Sequence, residues 1–501
     1  MSGRLNNVIL LVLAGALLFG ASRVQNSLNR DRERLGLTRV QPLDNAPPVL
    51  AFTTVALGGF RGLIANALWI RANDLQTEDK FFEMAQLADW ITKLEPHVPE
   101  VWIFQEWNMA WNISVKFKDY SDRWRWVQRG IRLLRDEGLR YNPNSILMYR
   151  ELAWIFQNKI GAVTDDANMY YKQQWANEMA EVFGNKKPDL DELIHPKTED
   201  EKKRAALLRD KFKLDPVFMK KVDEEYGPLE WRLPEAHAIY WAALGLEKAK
   251  ENPTKVKKSD LIMLHRVIYQ SLLLALYRGK LEANPYEKVF ELGPNLDILP
   301  KLNAAYEQAI QEDPDDRDNI ENAQRNALRD AVYFLYVNNR VAEAQKWFKY
   351  LGEKYPNKPI LDSDPTSLPS HLTLDQYAIA CVQGDVNETS PDRIRSAILG
   401  LLLSSYRSLV LNEDDRAAAY KGLANKIWSA YESKIPEDRK AAMNIGSMAA
   451  LQKEVLDRVL NTTNGFIPEM RAVLRTKLRL PPETAPSSST TNSASPTAPA
   501  Q

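Results

Sequence analysis

The chain runs to 501 residues with 45% hydrophobic and 26% charged side chains, which excludes a disordered chain, a collagen and a disulfide scaffold. Its 66 basic residues balance 66 acidic ones, so no overall field draws it to nucleic acid or anionic lipid. One cysteine, Cys381, excludes an intramolecular bridge and a Cys-based zinc site, and five histidines leave little for a metal.

Residues 1–22 read as a membrane anchor or signal segment. Met1–Asn7 carries one cation, Arg4, and Val8–Ala21 then runs 14 residues without a polar side chain. That is shorter than the roughly 20 residues of a comfortable span and matches a signal core, with small residues at Gly20-Ala21-Ser22. A cleaved signal and an uncleaved single anchor both fit. The charged stretch Arg23 to Arg34 that follows reads as a stalk within a 23–59 linker and favours the anchor. The length and position of the apolar run favour a body on the extracytoplasmic side, whereas Arg23, Arg30, Arg32, Arg34 and Arg39 outnumber Arg4 and argue the opposite. A second apolar stretch, Val49–Ile70, holds Thr53, Gly58-Gly59, Arg61 and Asn66, and reads as a lead into the first buried helix rather than a span.

From about 60 to 476 the apolar period is helical and no sheet is expected, so the fold class is all-α. In Val341–Leu351 the apolar positions Val341, Ala344, Trp347, Phe348 and Leu351 form one stripe. Prolines 96, 143, 314 and 356 each close an amphipathic stretch, and the 47- and 42-residue intervals within the two pairs suggest stacked helical hairpins. The divisions expected are an aromatic-rich helical region (60–184), a charged insertion of loops and short helices (185–230), a helical hairpin region (231–300), a repeat pair (301–360) and C-terminal helices (361–480). Residues 481–501 are Pro, Ser, Thr or Ala at 18 of 21 positions and read as a disordered tail.

Ala344, Phe348, Leu351 and Pro356 resemble the second half of a tetratricopeptide repeat. Tyr306, Ala309 and Pro314 repeat the latter part of that spacing, and Ala88, Ile91 and Pro96 do so more loosely. Leu328, Ala331, Val332 and Leu335 stand where the family favours Trp, Leu, Gly and Tyr. The module from Phe60-Arg61-Gly62-Leu63 to Trp69-Ile70-Arg71-Ala72 resembles the start of membrane-anchored bacterial repeat proteins of unassigned role. The resemblance implies a helical-hairpin solenoid in a bacterial envelope, with first helices lining a partner groove. Trp107, Asn108, Trp111, Asn112 and Arg150 are the groove residues it points to: Asn pairs a donor with an acceptor, and Arg offers a planar fork for a carboxylate.

Nine of the 13 tryptophans lie between Trp69 and Trp175 and read first as core, second as a stacking platform. No His-Glu-x-x-His stretch, phosphate loop, dinucleotide turn or nucleophile elbow occurs. His237 reads as a satisfied helix residue, and Asp165-Asp166 as negative charge suited to a helix start. The arginines around Trp124-Arg125-Trp126 are diluted by acids, which argues against nucleic acid. The expectation is therefore a non-enzymatic, membrane-tethered scaffold for protein partners, with no cofactor and no metal. The alternative is an all-helical glycan-acting or glycan-binding protein with two carboxylates in a Trp-lined cleft.

Overall fold

The computed structural model describes residues 61–184, 189–251, 253, 256–282, 291–361, 364–383, 391–433 and 445–483, with scattered helical positions between Leu13 and Asp31. Most of the expected anchor, the 23–59 stalk and nearly all of the 481–501 tail lie outside the described residues. The protein is all-α. Among the described residues the strands are confined to a two-stranded antiparallel ribbon, β1 (Lys280–Glu282) with β2 (Glu291–Gly293), in the connection where no strand was expected.

The chain divides into two compact units at Val101/Trp102. The first contains α1 (Arg61–Thr77) packed on α2 (Phe81–Leu94), with Ala65, Ala72, Met84, Ala88 and Ile91 buried between them. Helix α3 (Pro99–Trp107) carries the chain into the second unit. There α4 (Tyr120–Arg132), α5 (Ile146–Trp154) and α6 (Asn168–Phe183) form the aromatic region. Residues 185–230 hold three short helices, α7 (Leu190–Ile194), α8 (Glu199–Asp210) and α9 (Pro216–Tyr226). Helix α10 (Pro234–Glu251) packs on α5 and on α11 (Lys258–Arg278), which continues through the ribbon to α12 (Leu299–Glu312). The pair α13 (Arg317–Val337) and α14 (Val341–Lys354) follows, then α15 (Leu374–Gln383). Helices α16 (Pro391–Val410) and α17 (Asp414–Glu432) pack together, and α18 (Met448–Val459) and α19 (Pro468–Lys477) pack on α16.

Two local rules build the hairpins. Asp79, Asn339 and Asn412 sit in the left-handed region (φ 57°, 60° and 61°) between α1 and α2, α13 and α14, and α16 and α17. Each lets the next amide reach back five residues, as Arg340 N–H does to the Leu335 carbonyl (2.9 Å) and Glu413 N–H to that of Ser408 (2.9 Å). Asn and Asp tolerate this conformation, and the paired bonds satisfy carbonyls at the helix end. The second rule is proline. Glu95, Asn142, Asp313 and Tyr355 close their helical stretches at φ −120° to −128° and ψ 57° to 74°, each directly before Pro. A proline's Cδ pushes its predecessor out of the helical region, so the helix stops there.

The apolar stripe of α14 is buried at Ala344, Phe348 and Leu351, while Val341, its first residue, is 45% exposed. Helix α11 is the one described helix long and apolar enough to cross a membrane. It is a core helix here: Leu264, Val267, Ile268, Leu272 and Ala275 are buried as it packs on α10 and α12.

Gly245 marks a close approach between helices in this core. A Cβ there would lie 3.0 Å from Tyr149 Cβ and 3.1 Å from Leu264 Cδ1, so α5 and α11 close on α10 only because no side chain intervenes. Gly245→Val is expected to destabilise the protein by about 1–3 kcal/mol through overpacking. Urea unfolding at constant m-value checks this; a midpoint equal to wild type refutes it.

Candidate functional site

The aromatic region departs from plain α-helix three times. Residues Asn108–Ile113, Leu133–Gly138 and Ile155–Gly161 form π-helical segments, here π1, π2 and π3. Such segments are rare, hold one more residue per turn and re-aim the side chains that follow. In π1, Asn108 is fully buried, and the half-buried Asn112 donates from Nδ2 to Asn108 Oδ1 at 3.4 Å. Trp111 packs against Trp154 with ring centroids 4.8 Å apart and the planes tilted by 39°.

Segment π3 buries a charge. Lys159 follows Ile155 and Phe156, precedes Ile160, and is 1% exposed. Its ammonium donates to Asp165 Oδ2 at 2.6 Å and lies 4.9 Å from the centre of the Trp111 ring. Asp165 Oδ1 accepts from Ala167 N–H at 2.9 Å and meets Arg123 of α4 at 3.4 Å, and Tyr171 of α6 donates to Oδ2 at 3.4 Å. Burial works against the Asp165 charge, but the bonds from Lys159 and Ala167 outweigh it and hold the carboxyl below its ordinary range. Burial also lowers the Lys159 ammonium, with the bond to Asp165 opposing. Asp165 was expected to act as a helix-start charge; its larger part is counter-ion to a buried lysine. The signal missed was Lys159 itself, a cation inside an apolar run that has to find a carboxylate when buried.

A second polar cluster lies at the far side of the same loop. Gly161 closes π3, and its carbonyl accepts from Arg278 Nη2. A Cβ at Gly161 would sit 2.8 Å from the Phe156 carbonyl oxygen, which restricts the position to glycine. Arg278 Nε pairs with the buried Glu235 at 3.4 Å. Burial raises the Glu235 carboxyl, with Arg278 opposing. Lys172, also buried, donates to Asn168 Oδ1 at 2.8 Å, and burial lowers its ammonium to about 8. His237 Nε2 bonds the Trp231 carbonyl at 2.8 Å among the rings of Phe156, Trp175 and Trp231. Burial pushes its imidazole down to about 4.

Above this foundation the module exposes large apolar side chains. Val163 is 72% exposed, and Trp107, Val115, Tyr120 and Met169 are exposed between 39% and 48%. Tyr120 and Tyr170 approach with centroids 6.0 Å apart, and the Tyr120 hydroxyl donates to Asp166 at 3.4 Å. Val163 lies in the same loop as Asp166, and Met169 directly precedes Tyr170. Of the five groove residues expected, Trp107 is 39% exposed and Trp111 and Asn112 are half-buried. Asn108 is unreachable, and Arg150 pairs with its neighbour Glu151. Arg150 and Trp154 lie four residues apart on α5, so the Trp111–Trp154 ring contact brings that helix toward π1.

Glu106 is the carboxyl with the strongest claim to acid catalysis: burial first, then Glu151, raises it well above its usual range. It is 1% exposed, which keeps it from a bulky substrate. Among the described residues no group of three His, Cys, Asp or Glu could hold a metal ion. No family model, curated protein or solved structure matches the chain.

Asp165→Ala leaves the Lys159 charge buried alone and is expected to cost about 3–5 kcal/mol, whereas Lys159→Met with Asp165→Leu recovers most of that loss. Chemical denaturation of the three proteins reads the difference, and a double variant as unstable as the single one refutes it. His237 supplies a pH dependence. The unfolded imidazole takes its proton near 6.5 and the folded one only near 4, so the unfolded state binds more protons between those values. Stability falls as pH drops through that window, by roughly 3 kcal/mol from this group. In His237→Phe the difference in unfolding free energy between pH 7 and pH 4 should shrink by about that amount.

Proposed function

We propose that the protein is a membrane-tethered helical-repeat scaffold that recognises protein partners in a bacterial envelope assembly. One observation carries this reading: Trp107, Val115, Tyr120, Val163 and Met169 are exposed on a module whose loop is fixed from beneath by a buried ion pair. Single exposed apolar residues are ordinary, but aromatic and apolar side chains gathered on one rigid element are what anchor protein interfaces. A pre-ordered surface also loses less side-chain freedom on binding.

The repeat reading draws support from burial. Ala344, Phe348 and Leu351, with Tyr306 and Ala309, are all buried, as are Leu328, Ala331, Val332 and Leu335 on the preceding helix. The tether draws support from the described N-terminal positions, which are helical with Leu13, Leu17 and Phe19 each more than half exposed. Apolar side chains so placed suit a bilayer. In this reading the body stands on the extracytoplasmic side and residues 481–501 form a spacer tail.

Capture of the tagged full chain from detergent-solubilised membranes should recover a defined partner. Tyr120→Ala combined with Val163→Asp should reduce that recovery at least tenfold with an unchanged thermal midpoint. Recovery of the bare chain at every salt and detergent condition, or capture unaffected by the double variant, refutes the proposal.

A further inference from the structure

Helices α9, α10, α11 and α12 line a cleft of about 420 Å³. Its apolar wall is Phe218, Val222, Leu246, Ala249, Val256 and Leu261. Its polar groups form two sets. In one, Lys221 and Lys250 both bond Glu247 Oε1, at 2.9 and 2.8 Å. In the other, Gln308 Nε2 lies 3.5 Å from His265 Nε2 and donates to Glu312 Oε1 at 2.8 Å, while His265 Nδ1 meets the second oxygen of Glu312. Tyr226 also lines the cleft.

We propose that this cleft binds an uncharged, largely apolar small molecule with one hydroxyl or carbonyl group, whose polar end meets the His265–Gln308 pair. Volume sets the size: a cavity of roughly 150 Å³ takes benzene, and small-molecule sites span roughly 300–1,000 Å³. A space of about 420 Å³ therefore suits two or three fused rings or a medium-length hydrocarbon chain. Charge sets the class. The lining lysines 221 and 250 are balanced by the lining glutamates 225 and 247, and both lysines are already bonded to one carboxylate. With two cations set against two carboxylates the lining offers a charged ligand no net attraction to offset its desolvation, whereas an uncharged one has little solvation to lose. Burial first, then Glu225, pushes the Tyr226 hydroxyl upward, so it stays a neutral hydrogen-bonding group. An amide offers two donor hydrogens and a carbonyl acceptor, so Gln308 retains bonding capacity beyond its contact with Glu312.

The inference does not depend on the partner-binding proposal. Its probe is 1-naphthol, a bicyclic neutral alcohol, dialysed against the full chain in phosphatidylcholine nanodiscs, with empty nanodiscs correcting for uptake by lipid. Saturable binding of one naphthol per chain is expected. Leu246→Trp, which fills the cleft, should weaken it at least tenfold. Gln308→Ala, at an exposed position, should weaken naphthol about threefold to tenfold, the worth of one neutral hydrogen bond, and leave naphthalene unchanged. 1-Naphthalenesulfonate should bind at least tenfold more weakly than naphthol. Displacement of naphthol by decan-1-ol assigns the cleft to chains drawn from the bilayer, and failure to displace assigns it to ring compounds taken from water. Uptake equal to empty nanodiscs, full affinity in a folded Leu246→Trp, or sulfonate binding as tight as naphthol overturns the proposal.

Discussion

Removing an ammonium from water costs several kcal/mol even after a protein relaxes around it, so a lysine with 1% exposure dictates what its surroundings do. Lys159 recruits Asp165, six residues further on, and the chain between them has no choice but to fold back as a tight loop. Asp165 then serves more than its lysine. It receives the Ala167 amide just before α6 starts at Asn168, and it ties in Arg123 from α4 and Tyr171 from α6. One carboxylate thus fixes the relation of π3, α4 and α6. The outer side of the loop carries Val163 into solvent because the inner side is committed to the pair.

The π segments make that commitment geometrically possible. An α-helix continued through 155–161 would rotate Lys159 by about 100° per residue in step with its apolar neighbours. The wider turn of π3 instead lets Lys159 face Trp111 and Asp165 while Gln157 reaches across to the Val267 carbonyl (2.9 Å) and Ser271 (3.1 Å) on α11. π1 does the same on the opposite side, withdrawing Asn108 and turning Trp111 onto the Lys159 ammonium.

These two features explain what the sequence disclosed and what it withheld. Helix ends were legible because proline acts locally: Pro96, Pro143, Pro314 and Pro356 constrain their predecessors whatever the tertiary setting. The all-α class followed from apolar period, as at Ala344, Phe348 and Leu351. The left-handed turns at Asp79, Asn339 and Asn412 carried a readable sign, an Asn or Asp just past an apolar helix end, that escaped notice. The groove residues were placed by the repeat resemblance, which sets Trp107, Asn108, Trp111 and Asn112 on one first helix, whereas 108–113 is a π segment that buries Asn108. Nothing in the apolar period of a single sequence announces a π segment, and only π3 of the three contains a buried lysine. The ribbon Lys280–Glu282 with Glu291–Gly293 escaped for a plainer reason: three residues per strand show no alternation to detect.

Buried ionisable groups with displaced pKa values often mark catalysis, and this module is rich in them. What separates foundation from active site is which way the groups face. Asp165 faces Lys159, Glu235 faces Arg278, Lys172 faces Asn168, and His237 faces a backbone carbonyl. Each already spends its charge or its proton on another part of the chain, and a substrate would have to displace that partner before chemistry began. Glu106 and Glu235 each keep one carboxyl oxygen, Oε1 and Oε2, without a hydrogen bond among the described residues, yet burial raises both and leaves them 1% and 2% exposed. A region built this way pairs most of its buried charges within the chain, and in the proposed reading it would be the exposed Val163 and Tyr120 that meet a partner.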